Sequence, residues 1–214
     1  GALRQELKLE KALRSGRTAR LPRSRLPAGR GAGRSWVEGC GISLRPREAD
    51  GRAVPGHWEG DLVVGGDGRS CLVTLVERTS RLLLARRLEL HPSALVTAEL
   101  ADMVSGAPAA LMRTVTWDQG AEMAGHASFT EATGVRVYFC DPHSPWQRGT
   151  NENTNGLIRD YFPKGADFST VADAEVREMQ DQLNGRPRQT LGWRTPAEAY
   201  AELLRKAAQG AFTA

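Results

Sequence analysis

The chain has 214 residues, 40% of them hydrophobic and 25% charged, and a formal net charge of +4; this is enough for one α/β domain with an appendage and is ordinary for a protein that folds in water. No run of about 18 apolar residues is present and no charged-then-apolar leader opens the chain, so the reading has no membrane span, no membrane partner and no signal peptide. Cys40, Cys71 and Cys140 are odd in number, far apart and without a C-x-x-C pair, which argues against a disulfide framework or a zinc knuckle and for a reducing, cytoplasmic setting.

The charge is uneven: residues 1–35 carry a net +8, so the remainder carries −4. A basic arm beside a mildly acidic body suggests an arm that touches a polyanion and a body that holds cations. Gly rather than Met stands first, as expected of a fragment or a processed chain. Leu3, Leu7 and Leu13 predict a short helix over 3–14. The following Gly-, Pro-, Ser- and Arg-rich stretch, 15–35, has too little apolar surface to fold alone. It reads as a DNA-tracking arm in which Arg17, Arg20, Arg23 and Arg25 each neutralise a phosphate, or as a solvated linker; both can hold together. Residues 1–50 are assigned to this arm, 51–207 to a core and 208–214 to a tail.

Within the core, His57–Val64 alternates Trp58, Leu62 and Val64 with Glu59, Asp61 and Val63, the period of a strand. A Gly-Gly-Asp-Gly turn leads to strands over Cys71–Val76 and Leu82–Leu88, joined closely enough for an antiparallel meander. A helix from Pro92 to Ser105, a strand from Arg113 to Trp117, a helix over 121–133 and a strand from Val135 to Cys140 follow. The loop Asp141–Gly149 opens a helix from Thr150, its expected N-cap, to Phe162; further helices cover 170–184 and 196–207. The order predicts an α/β fold with one mixed five-stranded sheet flanked by helices. The crossover helix lets the fourth strand lie parallel to the first, which makes Asp61 and Asp118 neighbours.

Asp61 on a strand, Asp118 at a strand end and Glu152 early in a helix form a candidate set of metal ligands. Such carboxylates repel one another when close, and Mg²⁺ or Mn²⁺ removes the conflict through oxygen coordination. Two ions about 3.5–4 Å apart serve phosphodiester chemistry by activating the attacking oxygen and stabilising the leaving one. Asn155 and Arg159 share the helix face of Glu152 and offer an amide and a cation to a DNA end. His143 and Arg148 in the preceding loop are read as further DNA contacts, with proton movement or a loop-organising hydrogen bond open for His143, and Trp146 either stacks on a distorted DNA end or packs on the sheet. Glu59 is read as a solvated or structural carboxylate, or else a supporting or alternate metal ligand; Glu122 is read as a structural group near the site, Gly149 as a hinge or close approach, and Asn184, Arg186 and Trp193 as a clasp between the last two helices. Arg78, Arg81, Arg86 and Arg87 line a DNA groove or a solvated sheet edge.

The segments GHWEGDLVVG, TLVERTSR, TWDQGAEMAGH, VYFCDPHSPWQRGTNENTNGLIRDYFPKG and LNGRPRQTLGWRTPAEA resemble the catalytic core of the insertion sequence 30 family of bacterial transposases, over about residues 54–205. That family lies within the DDE transposase and retroviral integrase superfamily, so the resemblance implies a ribonuclease H-like fold. It places Asp61, Asp118 and Glu152 on the catalytic triad, with 33 residues between the last two. It further implies cleavage of double-stranded DNA at element ends, strand transfer into target DNA, a homo-oligomer on DNA and a place at the bacterial nucleoid. The family's N-terminal helix-turn-helix region is not evident here, so the chain is expected to begin after it. A ribonuclease H-like nuclease of another class and a non-catalytic DNA-binding fragment stay open beside this reading.

Overall fold

The computed structural model describes residues 34–212. The predicted short helix and Arg17, Arg20, Arg23 and Arg25 lie outside the described residues. Five strands form one sheet in the order β3-β2-β1-β4-β5: β1 (His57–Val64), β2 (Cys71–Glu77), β3 (Leu83–Leu88), β4 (Thr114–Trp117) and β5 (Arg136–Phe139). The first three form the antiparallel meander, and β4 and β5 add in parallel on the other side of β1. The β1–β2 turn is built by Asp67, whose carboxylate accepts the amides of Arg69 and Ser70, while Gly68 takes a positive φ of 68°.

Helices α1 (Ser93–Val104) and α2 (His126–Thr133) cover one face of the sheet, where Trp58, Val73, Leu100, Trp117, Phe129 and Phe139 pack together. Helices α3 (Gly149–Tyr161) and α4 (Asp173–Asn184) cover the other, where Val63, Leu72, Leu83, Ile158, Phe162 and Leu183 pack. A last helix, α5 (Pro196–Ala208), starts on a Thr195–Glu198 capping box. β2 is buried along its whole length because it lies inside the sheet with helices on both faces.

The predicted helix over 121–133 is interrupted. Ala121–Met123 is a 3-10 turn, and the chain breaks at Gly125, whose amide binds Ser93 Oγ at 2.7 Å and so ties the break to the start of α1. Residues 35–50, expected as part of the arm, instead pack on the sheet. Trp36, Val37 and Cys40 join the α1/α2-face core, Phe139 N–H donates to Cys40 O at 2.7 Å, and Arg45 Nη1 donates to Thr116 Oγ1 at 2.9 Å. The opposite edge is covered by side chains: Asn184 both donates to Leu83 O and accepts from Leu83 N–H at 2.8 Å, and Gln180 accepts from Ala85 N–H at 2.8 Å. Asn184 therefore clasps α4 to β3 rather than joining the last two helices, and Trp193 is 71% exposed.

Gly60 faces Trp117 across the β1–β4 register, and a Cβ there would overlap the Cζ3 and Cε3 atoms of the indole. Gly60→Ala should cost about 1–3 kcal/mol or more by overpacking, read by urea unfolding; an unchanged midpoint would show that the indole has room to shift.

His57 is buried, its Nδ1 2.8 Å from Thr114 Oγ1 and its Nε2 3.3 Å from Glu48 Oε1. Burial holds its pKa below the ordinary 6.5, although Glu48 pulls upward. The unfolded chain therefore takes up a proton in mild acid that the folded chain refuses. Stability should fall as pH drops below about 6.5, by up to about 1.4 kcal/mol per pH unit from this one group. His57→Gln should remove that part of the slope; parallel pH profiles for both proteins would contradict the assignment.

Candidate active site

The parallel pairing of β1 with β4 runs His57–Thr114, Trp58–Val115 and Glu59–Thr116. Continued by two residues, the same register sets Asp61 opposite Asp118. Strand alternation then places Glu59, Asp61 and Asp118 on the α3/α4 face. At the spacing of neighbouring strands two ionised carboxylates repel by roughly 3 kcal/mol at an effective dielectric of ~20. Asp61 meets this with three partners: its Oδ1 accepts from Leu62 N–H at 3.0 Å and lies 3.2 Å from Arg148 Nη1, and its Oδ2 accepts from Asn155 Nδ2 at 2.9 Å. Burial still lifts its pKa above the usual carboxylate range, with Asp118 adding to the rise and Arg148 opposing it. Asp118 is half-exposed at the end of β4; its Oδ1 accepts from Gly120 N–H at 2.8 Å and its Oδ2 lies 3.5 Å from Arg148 Nη2.

The start of α3 is fixed from the sheet. Oε2 of Glu59, a residue with no exposed surface, accepts the amides of Thr150 and Asn151, each at 2.8 Å. Its Oε1 is 2.8 Å from Nη1 of the buried Arg78. A carboxylate from β1 thus caps the helix and neutralises its positive end. Thr150, expected as the N-cap, lies inside the helix because α3 begins one residue earlier; its Oγ1 accepts from Arg81 Nη1 at 3.0 Å.

Arg148, Glu152, Asn155 and Arg159 then fall on one stripe running along β1. Arg148 Nη1 donates to Gly60 O at 2.7 Å, Asn155 holds Asp61, and Arg159 Nη2 reaches Val64 O at 3.4 Å. Glu152 sits between them, exposed, with no hydrogen bond or ion pair among the described residues. The structure brings Asp61 and Asp118 together and leaves Glu152 on the adjoining helix face. Among the described residues no three His, Cys, Asp or Glu side chains gather closely enough to hold a metal. The donor chemistry nevertheless suits a hard divalent cation. Two carboxylates share one cation already, and the buried Oδ1 of Asn155 beside them has no partner among the described residues.

The loop before α3 closes on itself: Gln147 accepts from Asp141 N–H and donates to Asp141 Oδ2, both at 2.8 Å. Trp146 is 67% exposed and so does not pack on the sheet, and His143 is exposed with a positive φ of 59°. Gly149 has an ordinary helical backbone, and a Cβ there would approach only Arg52, so neither a hinge nor a close approach is required. Glu122 is structural, accepting from Trp117 Nε1 at 3.0 Å. Arg78, Arg86 and Arg87 form ion pairs with Glu59, Glu99 and Asp173 rather than standing free along an edge.

Residues 51–145 match the integrase core domain family. The chain is 48% identical over 204 residues to the transposase for insertion sequence element IS1086 of Cupriavidus metallidurans, covering 95% of this chain and 59% of that protein. It is 50% identical over 162 residues to the transposase InsI for insertion sequence element IS30C of Escherichia coli, covering 76% of this chain and 42% of that one. It therefore spans roughly half the length of these relatives. A chain of the simian T-cell lymphotropic virus intasome in complex with PP2A regulatory subunit B56 gamma shares the fold, at a TM-score of 0.57 and 18% identity over 68% of this chain and 54% of that one. Sheet order and these likenesses define a ribonuclease H-like integrase core. Within that class the chain is similar, over most of its own length, to transposases of bacterial insertion sequence elements.

Proposed function

We propose that this core cuts double-stranded DNA at the ends of an insertion sequence and joins the freed 3′-hydroxyl to target DNA. The observation that carries the reading is the register that sets Asp61 opposite Asp118 beneath α3. Asp61, Asp118 and Glu152 are the residues that would hold Mg²⁺ or Mn²⁺, as two ions. When bound, these ions supply Lewis-acid activation of the attacking oxygen and charge stabilisation at the leaving one. Water is the first nucleophile and the 3′-hydroxyl the second, so no covalent bond to the protein is formed.

The chain's own residues prepare this chemistry. Asn155 fixes the orientation of the Asp61 carboxylate. Glu59 sets where α3 starts, and so which face of it carries Glu152. Asn155, Arg159, Arg148 and His143 are the DNA contacts beside the carboxylates, with the exposed Trp146 next to them; Arg17, Arg20, Arg23 and Arg25 add backbone contacts from the arm. Two element ends must be held at once, so the working form is a homo-oligomer on DNA, at the nucleoid of a bacterial cytoplasm. No helix among the described residues is long and apolar enough to cross a membrane.

The test is incubation with duplexes ending in the element's own terminal sequence, with and without Mn²⁺ or Mg²⁺. Metal-dependent nicking that leaves a 3′-hydroxyl, followed by joined products, is expected. Cleavage confined to RNA–DNA hybrids would move the chain to another class of nuclease.

A further inference from the structure

Arg148, placed above among the DNA contacts, is turned inward in the DNA-free protein. Its side chain is only 13% exposed, and its guanidinium turns inward onto the carbonyl of Gly60 and the carboxylates of Asp61 and Asp118. A guanidinium keeps its charge at any working pH, so it is a resident cation on the two carboxylates that would otherwise face each other unshielded. The contacts are uneven. The bond to Gly60 O is short at 2.7 Å, whereas the carboxylate distances are 3.2 and 3.5 Å, longer than a charge-assisted pair at its optimum. The hold on the carboxylates is loose, and Glu152, on the same stripe, stays outside it.

We propose that Arg148 is an internal counter-cation, which keeps Asp61 and Asp118 side by side in the metal-free protein and must release both for metal to load. The proposal rests on the metal-dependent reading above. Two consequences follow. The metal affinity of the DNA-free chain is reduced by the share of molecules in which Arg148 occupies the carboxylates. Once released, the guanidinium needs a new anion, and a DNA phosphate beside the stripe supplies one. DNA binding and metal loading therefore favour each other through this residue, and by linkage each strengthens the other to the same degree. Arg148 is thus a positioning residue whose contact with DNA depends on the metal.

The test is Mn²⁺ binding to the full chain, followed by calorimetry or by the electron paramagnetic resonance signal of free Mn²⁺, with and without a duplex. Without DNA, Arg148→Gln should bind Mn²⁺ about tenfold more tightly than wild type, within the usual range of site-to-site coupling. Adding duplex should tighten wild type and leave Arg148→Gln nearly unchanged, with Arg148→Lys between them. In the wild-type chain, saturating Mn²⁺ should speed the reaction of Arg148 with phenylglyoxal, mapped by peptide mass. That measurement decides the matter even where a variant folds poorly. Equal or weaker Mn²⁺ binding by folded Arg148→Gln, or labelling unmoved by Mn²⁺, overturns the proposal; if Asp61→Asn still abolishes binding, the metal site itself stands. Mn²⁺ binding by none of the proteins, with or without DNA, removes both.

Discussion

Asp61→Asn, Asp118→Asn and Glu152→Gln should each lower DNA cleavage and strand transfer by at least about a thousandfold, while affinity for the duplex measured without divalent metal is retained. The size follows from the several kcal/mol of charge stabilisation that a metal-held phosphoryl oxygen receives and that a missing carboxylate ligand removes. The three variants should differ in stability, and that difference separates lost chemistry from lost structure. Asp61 has a pKa raised by burial, so above its ordinary range the ionised form costs the folded state free energy rather than contributing it. Asp61→Asn removes that cost, and its thermal midpoint should equal or exceed that of wild type. Glu152 is exposed without partners among the described residues, so Glu152→Gln should lie within about 0.5 kcal/mol of wild type. Gel-shift affinity, thermal melts and a strand-transfer assay on the same preparations check all three. Near-normal strand transfer by any one of them rules that residue out as a ligand.

The sheet was legible from the order of its elements. Short links favoured a β1–β2–β3 meander, and the helix after β3 allowed β4 to return parallel beside β1, so Asp61 and Asp118 could be read as neighbours from the sequence. What escaped is what depends on packing between elements distant in sequence. Thr150 has the local chemistry of an N-cap, but α3 starts at Gly149, and its free amides at Thr150 and Asn151 are taken by Glu59, 91 and 92 positions earlier. A capping rule that looks only at adjacent residues cannot see a carboxylate arriving from the sheet. Residues 35–50 read as arm because Gly, Pro and Arg dominate the stretch before them, yet Trp36, Val37 and Cys40 are enough to seat that segment on the β5 side of the sheet. The loop word around Arg148 was recognisable as part of the site, whereas the direction of its guanidinium is set by Asp61 and Asp118 together and so exists only once β1, β4 and α3 have met.

Glu59→Gln should be among the most damaging single changes in the core, costing about 3–5 kcal/mol in urea unfolding. Gln keeps the shape and still offers an oxygen to the amides of Thr150 and Asn151, so lost packing is not the cause. The cost comes from Arg78, which is 5% exposed and would keep a buried charge with its carboxylate gone. The helix end also loses a negative charge next to its unpaired amides. If this account is right, removing both charges hurts less than removing one: Glu59→Gln combined with Arg78→Met should recover part of the stability, a coupling that a double-mutant cycle measures directly. A catalytic consequence should accompany the structural one. Glu59 fixes the first turn of α3, and Glu152 lies in that turn. Under conditions where Glu59→Gln is still folded, amides of residues 150–153 should exchange faster and strand transfer should fall, although the carboxylates of Asp61 and Asp118 are untouched. A loss below about 1 kcal/mol, or additive effects of the two substitutions, would mean that α3 is held by its apolar contacts at Ile158 and Phe162 instead and that the Glu59–Arg78 pair contributes no net coupling.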